Sequence, residues 1–233
     1  MTTEWRLLNE APRPAAAQMA RDAQVAADGV PTVRFFRWDP PALSLGFKQP
    51  RPEWLKRPAW RAAGLELVER PTGGGIAFHG SDLSVAVIVP RALTLPLATL
   101  LRIICQSTTS LCSLYAGEAR GVLDAEGSRR ITYCLTETSQ YAVFIGERKV
   151  AGFGVRRYPR SWLVEGSLLV RPLPAALAQA LPSTLRSQLQ RHAVSLAEAA
   201  GEALDESEVA ERWVERWPSV WEELLIQELA VIG

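Results

Sequence analysis

Cysteine and histidine are scarce in this chain, with three cysteines (Cys105, Cys112, Cys134) and two histidines among 233 residues. No two cysteines form a CxxC pair and their number is odd, so neither a zinc cage nor a disulfide framework is expected. Unpaired thiols fit a reducing compartment. Neither sign of charge is in excess: 26 basic and 25 acidic residues leave a net charge of +1. That balance argues against binding nucleic acid through a positive surface. Long apolar runs are also lacking. The stretch LTLPLATLLRIIC is interrupted by Pro96 and Arg102 and reads as too short or too broken to span a bilayer. The opening MTTEWRLLNEAPRP has no apolar run after a basic start, so no secretory signal is expected. A cytoplasmic protein with no membrane partner is the expectation. Neither the GxxxxGK[ST] of a P-loop nor the GxGxxG of a dinucleotide site occurs.

What is present suits one globular unit over residues 1–233: 48% apolar and 22% charged residues are ordinary for a packed domain of this length. Residues 14–28 are alanine-rich and read as a helix closed by Gly29 and Pro31. VRFFRW and ALSLGF read as strands, and residues 49–63 as a loop holding a short helix at most. LELVER is a strand that runs into PTGGG. IAFHGSDLSVAVIVP reads as one or two strands with a turn at Gly80-Ser81. Residues 97–116 carry apolar residues at helical spacing. Cys105 and Cys112 lie two turns apart on one stripe of that helix and read as core. ITYCLTE, YAVFIGERKVAGFGVRR and SWLVEGSLLV are strand-like, with a hairpin turn at Gly146. Residues 172–233 are helical in pattern, with a helix start at Asp205-Glu206-Ser207. The fold class is therefore α+β, a mixed or antiparallel sheet flanked by helices. Internal repeats and low-complexity linkers are not seen.

Three features carry chemistry. Arg70-Pro71-Thr72-Gly73-Gly74-Gly75, followed by His79, offers exposed backbone N–H groups and close approach to a phosphate, a carbonyl or an extended chain. A run of glycines is as readily a plain turn. Cys134 sits among Thr132, Thr136, Glu137 and Thr138, a polar setting that suits a partly exposed thiol. Lys149, with Arg148, Arg156 and Arg157 nearby, lies in a strand whose Gly146, Gly152 and Gly154 leave room for a ligand. A lysine in an alternating strand more often lines a solvated face, and a histidine beside a turn is more often structural than basic.

Together these pieces resemble the lipoate-protein ligase, octanoyltransferase and biotin-protein ligase superfamily, through its lipoyl branch. The resemblance rests on Trp5-Arg6-Leu7, Met19-Ala20-Arg21-Asp22, Arg34-Phe35-Phe36-Arg37-Trp38 with Pro40-Pro41, and Ser44-Leu45-Gly46 with Gln49. It continues through Arg70-x-Thr72-Gly73-Gly74-Gly75, His79, Arg148-Lys149-Val150-Ala151-Gly152 and Gly166-Ser167. It runs to about Val170, with a weaker helical match beyond.

The resemblance implies the family's ligase-type catalytic fold and one of two reactions. An octanoyltransferase takes its acyl group from acyl carrier protein, and a lipoate ligase activates a free acid with ATP and Mg. In the cysteine-dependent transferases the nucleophile precedes the R-K-x-x-G lysine by about one strand. Cys134 precedes Lys149 by 15 residues, so the resemblance favours the transferase, with Cys134 and Lys149 catalytic and no cofactor required. Arg70, Thr72, Gly73, Gly74, Gly75, His79, Gly152 and Arg157 are the implied substrate-binding residues. A lipoyl domain or a glycine-cleavage H-type protein is the implied acceptor. Two positions depart from the family: Glu69 replaces the usual first arginine before the glycine loop, and Glu165 replaces a frequent histidine. Carboxylates there would disfavour a phosphate, which counts against ATP. They also motivate a third reading, a non-catalytic relative that binds the carrier, against which Lys149 speaks.

Overall fold

The computed structural model describes residues 4–57, 60, 62–123 and 131–232, with side chains described as far as Gln227. Among the described residues, ten strands form two sheets. The larger has the order β1-β2-β6-β10-β9-β8-β7. Its members are β1 (Arg6–Asn9), β2 (Thr32–Phe36), β6 (Asp82–Pro90), β7 (Ala119–Val122), β8 (Ala142–Ile145), β9 (Arg148–Arg157) and β10 (Ser161–Leu169). Only β1 and β2 in this sheet run parallel; the remaining pairs are antiparallel. The smaller sheet, β4-β3-β5, joins β3 (Ala42–Leu45), β4 (Glu66–Glu69) and β5 (Ala77–His79). The mixed sheet flanked by helices agrees with the α+β expectation. Strands β1 and β7 were not read from the sequence.

The run IAFHGSDLSVAVIVP, read as one or two strands with a turn at Gly80-Ser81, is two strands, one in each sheet. Gly80, at φ 121°, redirects the chain after β5, a conformation few residues but glycine adopt. Strand β6 looks uniformly apolar because both its faces are covered. Leu83, Val85, Val87 and Val89 enter the main core, whereas the alternate residues Asp82, Ser84 and Ala86 are small or polar. That second face is the one turned toward the smaller sheet.

Helix α1 (Ala15–Asp28) ends at Gly29 in the left-handed conformation and packs Met19, Val25 and Ala26 against Phe36, Trp38 and Ile88. Helix α2 (Leu97–Ala116) starts after Pro96 and runs through Arg102 without a break. It is one unbroken helix where the sequence reading saw an interrupted run, and at 20 residues it has the length and composition to cross a membrane, as buried core helices also do. Its buried face, including Cys105 and Cys112, lies in the main core; burial pushes both thiols up to about 12. Helices α3 (Ala175–Ala180) and α4 (Ser183–His192) cover the smaller sheet through Leu177, Leu181, Leu185 and Leu189. The short α5 (Leu196–Ala200) carries a capping box between Ser195 and Glu198. Helix α6 (Glu206–Ile232) begins where expected, with the Ser207 amide donating to Asp205 Oδ1 at 2.7 Å.

Trp213, Trp217 and Trp221 of α6 are each 1% exposed and bind this helix to the larger sheet. Trp213 packs 5.1 Å from the Phe35 ring and donates its indole N–H to Ser107 Oγ at 3.2 Å. Trp213→Ala should lower the unfolding free energy by about 3–5 kcal/mol, measured by urea denaturation followed by far-UV circular dichroism.

Candidate functional site

A narrow cleft with about 40 Å³ of open space lies between the two sheets, less than small-ligand sites usually offer. One wall is the small-residue face of the larger sheet: Ser84, Gly152, Gly154, Glu165 and Ser167. The other is the glycine loop with Ser44, Ala77 and His79, and Met19, Phe36 and Trp38 add apolar surface. Cys134 lines the same cleft.

Arg70 shapes the loop. Its guanidinium donates to the Ser44 carbonyl at 2.9 Å, to the Gly73 carbonyl at 3.0 Å and to the Gly75 carbonyl at 2.7 Å. Burial lowers its pKa, and negative charge at Cys134 and Glu165 pulls it back. Gly46 is required because a Cβ there would run into the Gly74 carbonyl. Arg70 thus fixes the curvature of the glycine run and leaves the loop's edge facing the cleft.

The segment ITYCLTE, read from the sequence as a strand, is a turn with a single bridge, Ile76 to Tyr133. The Cys134 amide donates to the Ile76 carbonyl at 2.8 Å. The Glu137 carboxylate accepts the amides of Thr132 and Tyr133 at 2.8 and 3.0 Å. A side chain therefore satisfies backbone groups that a β-ladder would otherwise pair. Cys134 is half-buried, whereas Cys105 and Cys112 are buried.

Lys149 is 1% exposed, not on a solvated face. Its ammonium donates to the Glu137 carbonyl at 3.1 Å and to Ser139 Oγ at 2.8 Å. Burial lowers its pKa, and negative charge at Cys134 and Glu137 works the other way. Lys149 and Gly152 are three residues apart, a spacing that puts side chains on opposite faces of a regular strand. Strand β9 is not regular here. Ala151 pairs with Val143 and Lys149 with Phe144, which leaves Val150 as an extra residue. Such a bulge re-aims side chains. Val150 and Ala151 both enter the main core, and Lys149 is turned back to the side of Gly152. A Cβ on Gly152 would lie 2.9 Å from Cys134 Sγ and 3.3 Å from Lys149 Nζ. Thiol and ammonium therefore share the space above this glycine.

His79 is 3% exposed and stacks on Trp38 at 4.0 Å. Its Nδ1 meets Asp82 Oδ2 and its Nε2 meets Ser44 Oγ, each at 2.8 Å. With both nitrogens engaged by the protein, it organises the cleft wall. Burial works to raise the pKa of Asp82, but the His79 ring and the hydroxyls of Ser167 and Ser84 prevail and lower it. Arg157 lies outside the cleft, exposed at the end of β9 with its guanidinium 6.0 Å from the Trp162 ring. Arg156 donates to the Pro71 carbonyl at 3.0 Å. Glu69 is exposed at the end of β4, whereas Glu165 faces the cleft.

Glu165 is part of a cluster that sequence reading did not assemble. Thr72 Oγ1 donates to its Oε2. Arg34 is fully buried and donates to Asp22 at 2.6 Å, to Glu10 at 2.8 Å and to Gln18. Asp22 Oδ2 and Glu165 Oε1 are both buried without a partner among the described residues, and the two side chains meet. Burial, then the charge of Glu165, raises the Asp22 pKa well above the carboxylate range, against the pull of Arg34. A proton on Asp22, donated to Glu165, would satisfy both oxygens. Heptad-like spacing on α1 was the available signal, since Gln18 and Asp22 lie four apart on one face.

A glycine-lined cleft holding a thiol beside a buried ammonium is chemically suited to acyl transfer. This chain belongs to the lipoyl protein ligase A/B catalytic domain family, which matches residues 14–217. It is 33% identical over 183 residues to the octanoyltransferase LipM of Symbiobacterium thermophilum, covering 73% of this chain and 66% of that relative. It is 30% identical over 220 residues to the LipM of Kyrpidia tusciae, covering 82% and 77%. The chain thus spans about two thirds to three quarters of these curated relatives' length. Among solved structures, a lipoate-protein ligase A bound with ATP superposes with TM-score 0.68 at 17% identity, over 96% of this chain and 93% of that one. The bi-partite lipoate protein ligase of Thermoplasma acidophilum gives 0.66 at 18% identity, over 97% and 91%. At those identities the likeness is one of fold.

Gly152→Ala should slow the reaction of Cys134 with an acyl thioester on the order of a hundredfold while the melting temperature barely moves, as read by intact-protein mass spectrometry and calorimetry. Asp22→Asn tests the shared proton. A carboxyl whose pKa is raised by folding stabilises the fold at low pH, and this is lost as pH rises through the raised value. The variant's melting temperature should therefore gain on that of the parent as pH rises from 5 to about 9, in thermal denaturation series. A gap that stays constant over that range would exclude proton sharing.

Proposed function

We propose that this chain is an octanoyltransferase that moves an octanoyl group from acyl carrier protein to Cys134, and then to a lysine of a lipoyl domain or a glycine-cleavage H-type protein. The meeting of Cys134 and Lys149 over Gly152 carries this reading, and the octanoyltransferase relatives support it.

The Cys134 thiolate attacks the thioester carbonyl. The bond from carbonyl carbon to carrier sulfur breaks, and the carrier leaves as a thiol after taking up a proton. The ammonium of Lys149 faces the carbonyl oxygen as negative charge develops. The acceptor lysine, as a free amine, then attacks the acyl-enzyme. A C–N bond forms, the C–S bond to Cys134 breaks, and the proton lost by nitrogen returns to sulfur. An amide is more stable than a thioester, so the transfer runs downhill. The thioester brings its own activation, so no cofactor is required. Burial of an eight-carbon chain is worth roughly 5 kcal/mol at about 0.8 kcal/mol per methylene, enough to select chain length. Met19, Phe36 and Trp38 supply apolar wall for it. Arg70 and the glycines hold the loop above the chain.

Mixing the protein with octanoyl-acyl carrier protein should add one octanoyl group to Cys134, seen by mass spectrometry and removed by Cys134→Ser. Full activity of Cys134→Ser with octanoate, ATP and Mg would instead establish the ligase reaction.

A further inference from the structure

A second depression opens beside the cleft and shares Gly74 and Ile131 with it. Its walls are residues 47–52 on one side and the segment 131–133 on the other. It therefore begins immediately before Cys134 in the chain. The walls are fixed relative to each other. Gln49 Oε1 accepts the Gly46 amide at 3.0 Å, and its Nε2 donates to the Thr132 carbonyl at 2.9 Å. The Phe47 amide donates to the Thr72 carbonyl at 2.8 Å. Pro50 and Pro52 stiffen the far end.

Three observations set the chemistry of this groove. Among the described residues its charged lining is Lys48 and Arg51, and the nearby Glu137 carboxylate is held behind the wall by the amides of Thr132 and Tyr133. Lys48 has φ 57°, a left-handed turn conformation that an L-residue holds at a cost. Phe47 is 46% exposed, with Lys48 Nζ 5.2 Å and Arg156 Cζ 4.7 Å from its ring. An open aromatic face and prolines next to two cations fit an elongated ligand that is partly apolar and carries one anionic group.

We propose that this groove binds the phosphopantetheine arm of the donor carrier protein, with Lys48 and Arg51 on its phosphodiester and Phe47 and the prolines along its dimethyl segment. The inference rests on the carrier-protein reading of the donor. An arm laid here brings its terminal thioester past residues 131–133 to Cys134, with the acyl chain entering the cleft beyond. Recognition of the phosphate then distinguishes a carrier-borne thioester from other thioesters of the same acyl length.

The test compares octanoyl-4′-phosphopantetheine with octanoyl-pantetheine as donors, by the rate at which Cys134 gains its acyl group. The phosphorylated thioester should react with a kcat/KM about tenfold higher, as one lost charge-assisted contact implies. Added salt should reduce the preference, which gives a reading independent of any substitution. In the Lys48→Gln, Arg51→Gln double variant the ratio should fall toward one. Equal rates for the two thioesters in the parent, or an undiminished ratio in the variant, would overturn the proposal. So would a variant that keeps the ratio and is slowed only in transfer to the lipoyl domain, since that result assigns the groove to the acceptor. Failure of the parent to acylate with either thioester would instead overturn the transferase reading itself.

Discussion

Thiol and ammonium meet because residue 152 has no side chain. The space a Cβ would fill at Gly152 is bordered by Cys134 Sγ on one side and Lys149 Nζ on the other, and the rest of the site is arranged to keep it so. Strand β10 fixes the backbone of Gly152 from one edge and β8 from the other. Glu137 ties down the turn that carries the sulfur and also presents its own carbonyl to Lys149. The Lys149 carbonyl accepts the Val194 amide at 3.1 Å, so the segment linking α4 to α5 braces the strand from outside. A buried ammonium is costly unless its N–H groups are engaged; these contacts are what allow Lys149 to remain charged beside a thiol.

The cleft is walled by polar groups, yet few of them are free. Arg70 is committed to loop carbonyls, His79 to Ser44 and Asp82, and Arg34 to Glu10, Gln18 and Asp22. Pairing of this kind lowers the cost of lining a cleft with charged residues. It also divides the work among residues of similar appearance. Arg70 and His79 shape the cavity, and Cys134 and Lys149 face one another within it.

Much of this was legible in the sequence. Helix α1 with its glycine end, strands β2, β3 and β4, the β8–β9 hairpin and helix α2 follow from periodicity and turn residues, because local preference and tertiary packing agree there. The two cysteines of α2 were separable from Cys134 by their spacing alone. What stayed hidden depends on long-range pairing. ITYCLTE has strand composition, but its backbone partners are a side chain and one bridge, which composition does not encode. The turn at Gly80 was legible, but not that β5 and β6 belong to different sheets. The partnership of Asp22 with Glu165 joins residues far apart in sequence, and neither reveals the other.

The bulge in β9 has a consequence for how the chain reaches this state. A regular hairpin can pair one residue out of step and lose little except the facing of its side chains. Strand β9 carries Val150 as a surplus residue at one place only, and sliding β8 along it would move that surplus away from its site. Val150 and Ala151 would then leave the core they share. Misregistered hairpins are thereby disfavoured by the same irregularity that turns Lys149 toward the sulfur, so accuracy of assembly and assembly of the reactive pair are one selection.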